Sequence, residues 1–207
     1  MRSTALSTMR AYWEALRENG AVPRRAQVDP RGIENALDIA FLAERIAPGI
    51  ARLRLAGHRI EDLMGMDVRA MPLSALIVPA ARPGFALALE QVFARPVVAE
   101  LALTTPDGAP PPRRTGRMLL LPLVAEDGSV SRLLGGLALS PPPDAMACAP
   151  QRLSVVGTDL RALDGRPLAP SPPVSASLAP GLAEAPAPFA DAPRSGPQLR
   201  LVVRNDD

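Results

Sequence analysis

The chain contains no lysine: all 23 of its basic residues are arginine, set against 21 acidic residues. GC-rich codon usage accounts for this, since the same bias enriches alanine, proline and glycine. Because arginine stays protonated across the accessible range, a formal net charge of only +2 lifts the isoelectric point to 9.4. No basic patch is needed to explain it. Aromatic residues make up 3% of the chain and the basic residues are mixed with acidic ones, which argues against a stacking surface for nucleic acid. No glycine-rich phosphate loop is present. A single cysteine, Cys148, rules out an internal disulfide. A single histidine, His58, far from it in the chain, leaves Ser-His-Asp, Cys-His and histidine-rich metal sites without their residues. The longest strongly apolar run, 118–125, falls well short of the ~18 residues that a spanning helix needs. The N-terminus carries Arg2 but no apolar run of signal-peptide type. The expectation is a soluble cytoplasmic protein with no membrane insertion, no metal and no catalytic constellation.

Apolar residues are nonetheless 47% of the chain, enough for a core built mainly from Leu, Val, Ile, Ala and Met. The 207 residues allow one domain with a sizeable tail. The only Trp and Tyr stand together near the start. Met9, Tyr12, Trp13 and Leu16 recur at i, i+3, i+4 and i+7, which predicts one apolar face of a helix over 5–18, ended by Asn19-Gly20. Asp29-Pro30 reads as an N-cap with proline at the first helical position.

Strands are predicted at 39–46 and 51–55, joined by a turn at Pro48-Gly49. In the second, Arg52 and Arg54 alternate with Leu53 and Leu55 and should line its exposed face. A short helix at 57–65, broken structure at 66–78 and a longer helix at 80–94 follow. Three strands come next, at 97–104, 115–125 and 130–139, the last two joined by the turn Glu126-Asp-Gly-Ser129. From 141 the composition changes, and 13 of the 25 prolines fall in 141–197. Such a segment cannot bury enough apolar surface to offset its ordering entropy. Residues 152–163 are a partial exception, able to add a strand or docked segment through Leu153, Val155 and Val156. The apolar peptide 199–203 is a second.

The order of elements and several short motifs resemble a family of small single-domain PAS proteins common in alphaproteobacteria. The motifs are Tyr12-Trp13-Glu14-x-Leu16-Arg17, Pro23-x-Arg25, Asp29-Pro30-x-x-Ile33, Arg52-Leu53-Arg54-Leu55-Ala56-Gly57 and Asp62-Leu63-x-Gly65. The last is the hairpin Leu119-Leu120-Leu121-Pro122-Leu123, Asp127-Gly128, Arg132-Leu133-Leu134-Gly135. The likeness covers roughly residues 8–140. It implies an α/β (α+β) PAS fold: a five-stranded antiparallel sheet with helices on one face, preceded by the amphipathic N-terminal helix. The corresponding division is 1–28 for that helix and its linker, 29–140 for the PAS domain, and 141–207 for a largely disordered tail.

The same likeness implies a non-catalytic sensor or adaptor in signalling. A small ligand or a filled core would occupy the space lined by Leu53, Leu55, Leu101, Leu103, Leu120 and Leu137. Haem is disfavoured because the helix at 80–94 has no histidine and His58 lies outside it. A flavin of the light-sensing type is disfavoured because Cys148 lies beyond the domain. Two further surfaces follow from the residues. The stripe of Met9, Tyr12, Trp13 and Leu16 covers the domain's own sheet, joins it to a protein partner, a second copy included, or does both. Arg113, Arg114 and Arg117 cluster before a strand and could take an anionic metabolite or nucleotide bidentately, against the alternative of a solvated loop mouth.

Overall fold

A computed structural model describes residues 2–109, 111–143 and 150–168. Helix α1 (Arg2–Ala15) is followed by two 3-10 segments, Arg25–Gln27 and Pro30–Ala36. Asn19 and Gly20, with φ of 51° and 77°, turn the chain away from the helix. The Asp29 carboxylate accepts the backbone N–H of Arg31 and Pro30 takes the first helical position, as the local sequence predicts.

Strands β1 (Ala40–Ala47) and β2 (Ile50–Ala56) form a hairpin around Gly49, whose φ of 68° suits a residue without a Cβ. Helix α2 (His58–Met64), 3-10 turns at Leu73–Leu76 and Pro79–Ala81, and helix α3 (Arg82–Ala94) come next. Then follow β3 (Val97–Thr104), β4 (Thr115–Val124), β5 (Val130–Ser140), β6 (Ser154–Ala162) and the two-residue β7 (Pro167–Leu168).

The strands form one sheet in the order β2-β1-β5-β4-β3-β6-β7, every neighbouring pair antiparallel. The five expected strands occupy β1 to β5. The sheet does not stop there: β6, drawn from the segment expected to belong to the tail, pairs along the whole of β3 from Val97 to Thr104. Its approach is fixed by Leu153, which donates to the Leu76 carbonyl and accepts from Val78 N–H. Residues 144–149 and 169–207, with Cys148 and the peptide 199–203, lie outside the described residues.

Both faces of the sheet are covered in its middle. On the inner face α2, α3 and the turns between them close a large apolar cluster around Phe41, Leu53, Phe85, Leu101, Leu120 and Leu137. On the outer face α1 and the 3-10 segment Pro30–Ala36 close a second cluster. Leu6, Met9, Trp13 and Ile33 there meet Leu119, Leu121, Leu123 and Leu134. This explains the unbroken apolar run of β4, since a strand buried on both sides has no polar face to alternate with. Helices therefore lie on both faces, with α1 alone among the α-helices on the outer one. Phe41 crosses Gly135 on β5, where a Cβ would lie 2.2 Å from the ring, so the glycine makes room for the aromatic. At the hairpin, Glu90 of α3 pairs with Arg45 at 2.6 Å and accepts Gly49 N–H at 2.8 Å, tying β1–β2 to the inner layer.

Candidate functional site

The residues expected to act at sites divide sharply. Met9 and Trp13 are fully buried within their own domain, and Tyr12 and Leu16 are half-buried against the same cluster. The reason lies in β4. Strand β3 pairs with β4 only as far as Leu120, so beyond it the edge of β4 is open on that side. Pro23 fills part of it by accepting Val124 N–H, and the Trp13 indole N–H donates to the Pro122 carbonyl at 2.9 Å. Residues two apart on a strand point their backbone groups the same way, so both contacts seal one edge. Tyr12 accepts Asp29 N–H at 2.7 Å through its hydroxyl, which fixes the linker over the helix. The expectation of an interaction helix is corrected accordingly: its apolar stripe covers its own sheet.

The three arginines before β4 diverge. Arg113 pairs with Asp107 on the surface, and Arg117 pairs with Glu100 across β3–β4. Arg114 is 1% exposed and donates to Gln151 Oε1 at 2.9 Å and to the carbonyls of Pro141 and Pro142 at 2.8 and 2.6 Å. It clamps the start of β4 to the end of β5 and to the approach to β6. The anion-binding mouth at Arg113, Arg114 and Arg117 is therefore corrected: each guanidinium is spent on a separate internal or surface partner.

Of the six residues expected to line a pocket or core, Leu53, Leu101, Leu103, Leu120 and Leu137 belong to the inner cluster. Leu55 does not. Alternation puts it on the face of Leu53, but a register shift opposite Leu42 and Ala43 leaves Arg54 as an extra residue in β2. One inserted residue flips every side chain beyond it. Leu55 turns to the outer face and is 55% exposed. His58 is exposed at the first residue of α2. Among the described residues no group of three or more His, Cys, Asp or Glu is placed to hold a metal ion, and no helix is long and apolar enough to cross a membrane.

The flip of Leu55 exposes what reasoning from the sequence missed. Helix α1 covers the outer face over β4 and β5, but the half over β1 and β2 stays open. There an open groove of about 950 Å³ runs between Arg24, Arg25 and Ala26 at the start of the first 3-10 segment, the β4–β5 turn, and the outer side of β1 and β2. Leu42 and Leu55 give it an apolar strip, and Arg24, Arg25, Arg54 and Arg132 line it with positive charge. Glu44 is the lining carboxylate contributed by β1. One of its carboxylate oxygens, Oε2, faces Arg132 at 2.7 Å, Arg54 at 3.3 Å and Arg52 at 3.8 Å.

Three guanidiniums around one carboxylate leave a local excess of positive charge. Arg24 and Arg25 add to it, since neither forms an ion pair among the described residues. Glu126 and Asp127 at the turn are the opposing charges on the rim. Asp127 is committed to its own turn, accepting Ser129 N–H and Oγ–H at 2.9 and 2.7 Å. The signal that could have revealed the site was Glu44, the one carboxylate of β1, standing directly after its apolar first half.

Contact with the Arg132 guanidinium is the largest cause holding the Glu44 carboxyl below its ordinary range, and the charges of Arg54 and Arg52 add to it against a partly opposing burial. A carboxyl lowered on folding contributes stability that is present above its unfolded value and lost as pH falls through its folded one. Glu44→Gln is therefore expected to be less stable than the native chain at neutral pH. The gap should close as pH drops below the ordinary glutamate range, in denaturation curves collected at matched ionic strength. A gap independent of pH would mean the three arginines do not act through the charge of Glu44.

A family model described as a PAS domain matches residues 1–138, from α1 through nearly all of β5. No curated protein matches the chain.

Proposed function

This chain belongs to the PAS domain family, whose members are generally sensory and non-catalytic modules that commonly mediate protein interactions, and from that premise we propose that it is a cytoplasmic signalling adaptor. Its output is a protein contact made by the open half of the outer sheet face, over β1 and β2. The observation that carries this reading is the uneven cover of that face. Helix α1 seals β4 and β5 with Met9 and Trp13 fully buried. The adjoining half keeps an arginine-lined groove with Leu55 exposed on its floor. Exposed single leucines are ordinary on protein surfaces, but one on a concave, charged floor has the makings of an interface core within a polar rim. The reading assigns no catalytic residue.

The test is site-specific photo-crosslinking in the native host, with the photoreactive residue placed at position 55 and, as a control, at Met66. Met66 is 49% exposed and lies just past α2, away from the groove. A discrete cross-linked species from position 55 and none from position 66 is the expected result. Equal yields from both positions, or none from position 55, would remove the groove as the contact surface.

A further inference from the structure

We propose that the groove receives an acidic segment of a partner protein, in which carboxylates flank a single apolar side chain. This rests on reading the groove as the protein-contact surface and specifies what fills it. The apolar residue would sit on Leu42 and Leu55. Carboxylates on one side would meet Arg54, and those on the other Arg24 and Arg25, which carry no carboxylate partner among the described residues. Glu44 already shows the geometry on offer, one carboxylate oxygen drawn toward three guanidiniums. An incoming carboxylate finds arginine forks preorganised by that internal one.

The alternatives fit less well. A nucleic-acid strand places a phosphate at every step, and such a track would run over Glu44 and past Asp127. A peptide can place its charges discretely and leave neutral positions beside those carboxylates. A small anion could occupy one guanidinium pair but would leave the apolar strip uncovered.

The experiment uses the full chain and short fluorescein-labelled peptides in which a central leucine is flanked by glutamates, by glutamines or by lysines. Inorganic phosphate serves as a separate arm. Anisotropy reads affinity, and amide shifts of ¹⁵N-labelled protein read the location. The glutamate peptide is expected to bind, to shift amides around Leu55, and to weaken as salt is raised. The glutamine and lysine peptides are expected not to bind.

Arg25→Glu and Arg54→Glu should each lower the affinity by about tenfold, and Leu55→Ser should weaken it as well. Arg95→Glu, which makes the same charge change beyond α3 on the other side of the sheet, should leave it unchanged. Equal binding of the glutamine and glutamate peptides overturns the acidic inference while leaving a groove contact standing. So does a position-55 cross-link in cells with no binding by any peptide. Phosphate that shifts the same amides, together with a Leu55→Ser chain that binds the peptide normally, makes this a simple anion site and also overturns it.

Discussion

Trp13→Ala is expected to destabilise the domain by about 4 kcal/mol, the range for truncating a fully buried large aromatic. The ring is 0% exposed and shares the outer cluster with Leu6, Met9 and Leu121. Its indole N–H satisfies the Pro122 carbonyl, at a place where β3 no longer runs beside β4. Truncation therefore removes packing and also leaves a buried acceptor without its donor, a further penalty of roughly 1–3 kcal/mol if water does not reach it. The Arg17 guanidinium, 5.4 Å from the ring centroid, loses its cation–π partner but keeps the Glu14 carboxylate and the Leu163 carbonyl. Equilibrium denaturation in urea measures the change. Trp13→Phe separates the two effects, since it keeps most of the packing and loses the hydrogen bond. A Trp13→Ala cost below about 1 kcal/mol, the size of an ordinary exposed substitution, would mean that α1 is not seated on the sheet as described.

The second large effect belongs to Arg114. Arg114→Met conserves much of the side-chain volume but removes the donors to Gln151, Pro141 and Pro142. The buried Gln151 acceptor left without its donor costs about 1–3 kcal/mol and the carbonyls of the exposed Pro141 and partly buried Pro142 add less, so a total on the order of 3 kcal/mol is expected. The loss should be uneven in space. Gln151 also donates through its backbone to the Leu63 carbonyl, and Leu153 is pinned between Leu76 and Val78. Together they form the hinge by which β6 reaches β3. Amides of β6 should lose exchange protection well before those of β4, because edge segments open at lower free energy than the sheet centre. Uniform loss across the sheet, or none, would show that the arginine clamp does not govern the docking of β6.

The fate of particular residues shows how much the sequence disclosed. Local signals carried most of the fold. Asp29-Pro30 marked a helical start, Pro48-Gly49 and Asp127-Gly128 marked turns, and β1 to β5, α2 and α3 fell within two residues of their expected bounds, whereas α1 runs three residues earlier than the expected 5–18. The role of α1 was half legible. Its stripe was plain, but whether it covered its own sheet or a partner turned on reading the run 118–125. A strand apolar on successive residues rather than alternate ones already implies cover on both faces, and α1 was the only amphipathic element left over to supply the outer cover.

The site was least legible. A one-residue shift in β2 moved Leu55 across the sheet, and such a bulge has no compositional mark in Arg-Leu-Arg-Leu. Arg113, Arg114 and Arg117 are neighbours in sequence, yet their partners Asp107, Gln151 and Glu100 lie in different directions. The groove instead gathers Arg24, Glu44, Arg54 and Arg132 from four separate stretches of chain, which adjacency in sequence cannot signal.

The most direct test of the groove as the working surface is the affinity of the partner captured through position 55, measured for the native chain and for the double variant Arg24→Glu, Leu55→Ser. Both side chains are exposed and Arg24 forms no ion pair among the described residues, so the variant should melt with the native chain and any change in affinity reports contact rather than folding. The account predicts a loss of about tenfold or more at an unchanged melting temperature. Undiminished affinity would contradict it.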